Sequence, residues 1–296
     1  MDEQTLERYL KAGSIASKVR EEARPLIRED AALLELAEFV ESMIVELGGQ
    51  LAFPVNISLD SQAAHFTPSS KDRLKFKAGN IVKLDLGVHV DGHIADTAAT
   101  VEVGGNRAAE LIQAAEHALQ ATIEAVKPGI TTGDLGAIIE QVIESRGFTP
   151  VSNLSGHLLK PYNLHAGLSI PNIRDGSTGK LEQGMAVAIE PFATNGAGRV
   201  AGRKSGNIYR QIRDRGHADP GINECIGFIT REFKGLPFSE RSIAGEFKNS
   251  DKLLRKLLRF GVISTYPVLK DIKGGMVSQA EHTVIVTKNG CRVTTK

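Results

Sequence analysis

The chain has 296 residues, 41% of them hydrophobic and 24% charged, an ordinary globular balance with enough apolar material for a sizeable core. Its 36 basic and 35 acidic residues leave a net charge of +1, which gives no electrostatic reason to expect nucleic acid or an anionic membrane as partner. Two cysteines, Cys225 and Cys291, make neither a CxxC pair nor a disulfide framework, so the chain reads as an intracellular protein with reduced thiols.

Met1 to Arg24 is a charged helical pattern, with Leu6, Leu10, Ile15 and Val19 roughly on one side. It lacks the continuous apolar stretch of a secretory signal, and no window approaches the ~20 apolar residues that span a bilayer. The expected compartment is the cytoplasm. After Arg24-Pro25-Leu26-Ile27, a second helical run extends from about Asp30 to Leu47. A Gly pair then leads into Phe53-Pro54-Val55-Asn56-Ile57-Ser58, and Ala64-His65 follows in a turn-rich stretch. Lys77-Ala78-Gly79 turns the chain into an apolar-alternating strand that carries Asp85. Asp91-Gly92 is a strong two-residue hairpin signal between strands expected over 81–90 and 94–103. With that turn, residue 90 faces 93 and residue 87 faces 96. Asp85 and Asp96 then share a face as diagonal neighbours, with Cα atoms roughly 7–8 Å apart.

The second half repeats this order. Lys127-Pro128-Gly129-Ile130 is followed by a helical run from about Thr132 to Arg146, then Gly147 and Phe148-Thr149-Pro150-Val151. The strand Gly184-Met185-Ala186-Val187-Ala188-Ile189-Glu190 parallels Gly79 to Asp85, and Ala280-Glu281-His282-Thr283 parallels Ala95-Asp96-Thr97-Ala98. Each half is helix–helix–hairpin and supplies two carboxylates. Asp85 and Asp96 lie 11 positions apart but Glu190 and Glu281 lie 91 apart, so about 80 residues interrupt the second hairpin. Within them, Asp219-Pro220 reads as an N-cap with Pro at the first helical position, opening a run through Ile222, Ile226, Ile229 and Phe233. Ser250-Asp251 opens another, closed near Gly261. The expectation is a small helical subdomain over residues 203–267, riding on a core made of residues 1–202 and 268–296.

Carboxylates on apolar-alternating strands need explaining. Any one of them could be a surface or edge-strand acid in a salt bridge. Four at duplicated positions, converging on one place, would repel and raise one another's pKa. Divalent cations remove that problem. Of eight histidines, His65, His157 and His165 sit in turn-rich stretches beside strand signals, where site residues tend to be. His89, His93, His117, His217 and His282 read as ordinary surface or core residues. His282, next to Glu281 on a strand, should point to the opposite face.

Taken together these stretches resemble the methionine aminopeptidases of the pita-bread fold, over essentially the whole chain. The resemblance is carried by Phe53-Pro54-Val55-Asn56, Ala64-His65, Lys83-Leu84-Asp85-Leu86-Gly87, Ala95-Asp96-Thr97, Ser155-Gly156-His157, His165-Ala166-Gly167, Ala188-Ile189-Glu190-Pro191-Phe192 and Gln279-Ala280-Glu281-His282-Thr283. The long insertion with Leu236-Pro237-Phe238-Ser239 resembles the type 2 branch, and the short N-terminus its archaeal form. Ala280 departs from the pattern, standing where the family often has Phe.

The resemblance implies an α+β, duplicated pita-bread fold with an inserted helical subdomain. It implies two divalent metal ions held by Asp85, Asp96, His157, Glu190 and Glu281. Asp96 and Glu281 would bridge them, Asp85 would complete one site, and His157 and Glu190 the other. Cobalt, manganese, iron, zinc and nickel all suit such oxygen-rich ligation with one imidazole. The ions would share an activated water and hold the substrate's free amine. His65 and His165 would hydrogen-bond the scissile amide and the carbonyl oxygen, and Glu190 would shuttle a proton. Phe53 and Leu164 would line an apolar pocket for methionine. The implied partners are the N-termini of nascent polypeptides and the ribosome they leave, with a small second residue preferred; a monomer is implied, without membrane or specific nucleic acid. A proline-directed peptidase of the same fold usually carries an additional N-terminal domain, for which a first repeat starting near residue 3 leaves no room. A non-catalytic relative that binds RNA or ribosomes would have lost metal ligands, and here all five are present.

Overall fold

The computed structural model describes residues 1–202, 205–214, 216–217 and 219–296. Arg203, where the expected insertion begins, lies outside the described residues. The helices are α1 (Glu3–Ala23), α2 (Leu33–Glu46), α3 (Ala109–Ala125), α4 (Thr132–Ser145), α5 (Pro220–Phe233), α6 (Glu240–Glu246) and α7 (Ser250–Arg259). The strands that build and flank the site are β1 (Gln50–Leu59), β2 (Ile81–Val90), β3 (His93–Glu102), β4 (Ser155–Leu159), β5 (Ser169–Pro171), β6 (Ala186–Ile189), β7 (Ser205–Gln211), β8 (Ile263–Pro267) and β9 (Glu281–Val286).

One antiparallel sheet runs β1-β2-β3-β9-β6-β4-β5, with Cys291–Val293 pairing to β9 as its eighth strand. The β2–β3 hairpin turns at Asp91-Gly92, both with positive φ, and pairs residue 90 with 93 and 87 with 96. Positive φ at both central residues is the turn geometry whose twist matches two antiparallel strands.

The two halves of the sheet are covered in the same way. Helices α1 and α2 bury Ala12, Val19, Leu36 and Val40 against Val55, Leu84 and Leu86. Helices α3 and α4 bury Ala114, Ala118, Leu135 and Ile139 against Val187, Ile189 and Val284. Each helix presents these residues at spacings of four or seven, so one stripe faces the sheet and the other face meets solvent.

Helix α2 begins three residues later than the sequence pattern suggests. Asp30 adopts a positive φ, its N–H bonds Phe76 O at 3.0 Å, and Phe76 N–H bonds Ala31 O at 3.0 Å. Tertiary pairing with the segment before β2 therefore takes the backbone groups that a longer helix would have used.

Residues 205–267 have a core of their own, with Ile222, Cys225, Ile226, Ile229, Phe238, Leu254 and Leu257 packed together. Asp219 caps α5 by accepting from Gly221 N at 3.1 Å, and Pro220 occupies the first turn. The helical reading of this stretch omits its sheet: β7 pairs with β8 on one side and with Phe238–Ser239 on the other. The strand β7 gains its partners from residues more than 25 positions away, so no local pattern announces it. Ser239 then caps α6, accepting from Ser242 N at 3.1 Å. No helix among the described residues is long and apolar enough to cross a membrane.

Candidate metal centre

Register places the candidate ligands. In one row across the sheet, Asp85 on β2 faces Ala98 on β3, and Ala98 faces Glu281 on β9. The pairing of His282 with Ile189 then sets Glu190, one residue beyond β6, beside Glu281. In the neighbouring row, Gly87 faces Asp96, Thr283 on β9 faces Ala188 on β6, and Ala188 faces His157 on β4. Thr283 ties Asp96 into that row: its hydroxyl accepts from Asp96 N at 2.7 Å and donates to Asp96 O at 2.9 Å. Directly opposed residues of antiparallel strands project to the same side. All five candidate ligands line a single cavity, together with Phe53, His65, Leu164 and His165.

The side chains meet. His157 Nε2 lies 3.7 Å from Asp96 Oδ2 and 3.5 Å from Glu190 Oε1. Among the described residues, Asp96, His157 and Glu281 each offer a ligand atom within 4.8 Å of the others'. Burial pushes the Asp85 carboxyl up to about 7. Burial, and then the neighbouring carboxylates, hold Asp96, Glu190 and Glu281 well above the usual carboxylate range. Burial, and then the charge of His165, depress His157 to about 3, which keeps its ring neutral and able to donate a lone pair.

One oxygen on each of Asp85, Asp96 and Glu281 is buried without a hydrogen-bond partner among the described residues. Buried acceptors are normally satisfied. Four carboxylates and one neutral imidazole, with oxygens left unpartnered, suit divalent cations and little else. The residues present fit a metal pair.

Gln279 is the site residue that the sequence reading passes over. It lies in the short strand Val277–Gln279, is 1% exposed, and its Nε2 lies 3.4 Å from Asp85 Oδ2, 3.5 Å from Glu190 Oε2 and 3.5 Å from Glu281 Oε2. Its spacing of two from Glu281 was a legible signal, because alternate strand residues share a face. Tyr266, at the end of the insertion, also lines the cavity and gave no such signal.

Residues around the cluster hold it from both sides of the sheet. His65 has a positive φ, its Nδ1 lies 3.2 Å from Pro267 O, and its ring meets Tyr266 edge-on at 5.2 Å. A carbonyl only accepts, so Nδ1 carries the proton and Nε2 is an acceptor. Burial depresses His65 to about 4, which keeps it neutral. The His165 ring packs 4.4 Å from that of His157, and burial, then the charge of Arg210, lower its pKa. His282 points the other way: Nδ1 lies 2.8 Å from Thr295 Oγ1, within a network where Arg20 donates to Thr97 Oγ1 and to Thr295 O. Thr97 Oγ1 in turn donates to Glu281 O at 2.9 Å, so the reverse face holds the backbone of a site residue. His89 accepts from Gly92 N at 3.2 Å and His93 Nδ1 lies 3.2 Å from Val90 O, both at the hairpin end.

Comparison with known proteins identifies the family. The sequence matches metallopeptidase family M24 over residues 7–288. A methionine aminopeptidase of Methanocaldococcus jannaschii is 47% identical over 100% of both chains. Among solved structures, a methionine aminopeptidase of Thermotoga maritima superposes with TM-score 0.74 at 23% identity, covering 100% of this chain and 98% of that one. A thermophilic Arx1 superposes with TM-score 0.85 at 18% identity, covering 99% and 91%. At such identities these two likenesses speak to the fold, which is the duplicated pita-bread architecture with its curled antiparallel sheet. Full-length identity and the family match together assign the rest: the chain belongs to metallopeptidase family M24, among its methionine aminopeptidases.

Proposed function

We propose that this chain removes the N-terminal methionine from nascent proteins and peptides, preferably where the second residue is small, in a metal-dependent hydrolysis. The observation that carries the reading is one cavity lined by Asp85, Asp96, His157, Glu190 and Glu281 together with two neutral-leaning histidines. Asp85, Asp96, His157, Glu190 and Glu281 would hold the metal pair. When bound, two divalent cations acidify a shared water and polarise the scissile carbonyl.

The chain's own residues do the remainder. Glu190, whose carboxyl is held well above its usual range by burial and by Asp96 and Asp85, takes a proton from the attacking water and returns it to the leaving amine. His65, with Nδ1–H committed to Pro267, presents Nε2 as an acceptor for the scissile amide N–H. His165 donates to the carbonyl oxygen as negative charge develops there. Phe53 and Leu164 bury the methionine side chain. Residues 203–267 are read as a subdomain inserted into the catalytic core of residues 1–202 and 268–296. Cytoplasmic action on chains leaving the ribosome, as a monomer, follows from the same reading.

The test is methionine release from Met-Ala-Ser by metal-stripped protein, before and after adding back cobalt, manganese, iron, zinc or nickel in turn. Release should vanish on stripping and return with at least one ion, while Xaa-Pro peptides stay poor substrates. Undiminished release by protein shown free of metal would overturn the reading.

A further inference from the structure

The wall of the cavity continues outward along β7. Ile208, Arg210 and Ile212 follow one another at the period-two spacing that puts alternate strand residues on one face. Ile208 is buried and lines the inner cavity, whereas Arg210 and Ile212 line a second, outer groove. The two hollows share Leu164, His165, Pro237 and Tyr266. A polypeptide leaving the inner cavity past His165 and Tyr266 therefore enters the groove without a break.

The groove is electropositive. No Asp or Glu lines it among the described residues. The Arg210 guanidinium stands over the Tyr266 ring, 5.6 Å from its centroid, and Nε donates to Ser264 Oγ at 3.2 Å. Tyr162, which also lines the groove, has Lys234 Nζ 3.1 Å from its Oη and 4.8 Å from the centre of its ring. Three cations of the insertion pair with acids, Arg231 with Glu232, Arg241 with Glu41 and Lys256 with Asp219, and, among the described residues, several others on its surface do not. Arg210 and Lys234 have no acidic partner among the described residues. An exposed arginine is ordinarily a solvated surface group of little energetic consequence. This one is different in being stacked on a ring of the substrate cavity and tethered by its neighbour, which leaves its outer N–H groups pre-oriented toward the groove.

We infer that the groove is a subsite for the substrate chain on the C-terminal side of the cleaved bond, and that Arg210 recognises a carboxylate there. The inference rests on the aminopeptidase reading above. The carboxylate belongs either to an acidic side chain at the third or fourth residue of the substrate or to the free C-terminus of a short peptide. Specificity of this kind sits beyond the methionine pocket and adds to it.

The experiment compares kcat/KM for C-terminally amidated peptides Met-Ala-Xaa-Ser and Met-Ala-Ser-Xaa, with Xaa as Glu, Gln or Lys, and for the free-acid form of the Gln peptides. At low salt the protein should favour Glu over Gln by about two- to fivefold at one of the two positions, and disfavour Lys, with the gap closing as salt rises. A free-acid Gln peptide that outruns its amide while Glu confers nothing assigns the subsite to the chain terminus. Arg210→Gln should bring the Glu-to-Gln ratio near one, Arg210→Lys should retain part of it, and Arg210→Glu should turn the preference toward Lys. Unchanged melting temperatures would show that each variant folds. Equal rates for every peptide in the wild-type protein, or a carboxylate preference that survives Arg210→Gln, overturns the subsite and leaves the aminopeptidase reading standing. Absence of methionine release from all of these peptides removes that reading and the subsite with it.

Discussion

At the scale of single residues, the site depends on groups that touch the ligands as well as on the ligands. Gln279 lies within 3.5 Å of oxygens of Asp85, Glu190 and Glu281, which leaves the other oxygen of each carboxylate to face the cavity. Gln279→Met keeps the length of the side chain and removes the donor. Calorimetric titration of the stripped variant with manganese or cobalt should show affinity weakened by about 10- to 100-fold. Equal affinity would mean that these contacts do not position the carboxylates. His165 is a different case, because it packs on His157 rather than reaching toward the acids. His165→Ala should lower kcat by about 10²–10³ while metal content, read by elemental analysis, stays near that of the parent protein. Metal loss in that variant would move His165 among the ligands.

At the scale of elements, the β2–β3 hairpin and β1 make one wall of the cavity that we propose takes the methionine side chain. Gly87 faces Asp96 across the hairpin, and a Cβ added there would lie 2.2 Å from the Phe53 ring. The absence of a side chain at position 87 is therefore what lets Phe53 lie flat beside the site. Gly87→Ala should destabilise the protein by about 1–3 kcal/mol as an overpacking change and raise KM for methionine peptides. Adding Phe53→Leu should recover part of the melting temperature without recovering KM. If the single variant melts and binds like the parent, Phe53 does not depend on that gap. The hairpin itself was legible from Asp91-Gly92, since two positive-φ residues between alternating strands leave one natural register. Strand β7 was not, because its partners come from the middle and the far end of the insertion.

At the scale of the whole molecule, concentrated acids make stability depend on pH and on metal. The Asp85 carboxyl is raised to about 7 from an unfolded value of 3.8, so its contribution is fully present below pH 3.8 and is lost as pH rises through 7. Asp96, Glu190 and Glu281 shift in the same direction. His65, His89 and His282 at about 4 and His157 at about 3 shift oppositely, and their effect is complete once pH exceeds 6.5. Above pH 6.5 the four acids are opposed by Lys83, which burial depresses to about 7 and whose contribution grows as pH rises beyond that. Metal-free protein should therefore lose stability between pH 6.5 and 8: Asp85, on the order of 1 kcal/mol, offsets Lys83, and Asp96, Glu190 and Glu281 set the sign. Saturating manganese or cobalt should abolish or reverse that slope, since binding requires the deprotonated carboxylates. Calorimetric scans of stripped and loaded protein across this window check the sign. A metal-free Tm that climbs steadily to pH 8 would contradict the crowding of the acids.

The amino-acid order by itself determined the duplication, the hairpin and the identity of the candidate metal ligands. Each of these is written in local spacing: alternation of two along a strand, three and four along a helix, Gly where φ turns positive. Tertiary structure alone decided that β9 inserts between β3 and β6, which seats Glu281 beside Ala98 and brings the two halves' acids together. It also decided that Gln279 faces three carboxylates, and that Tyr266 and Arg210 from the insertion wall the exit. Those contacts join residues tens to hundreds of positions apart. Their partners are chosen by burial of the two cores and by sheet register, which no local window of the chain contains.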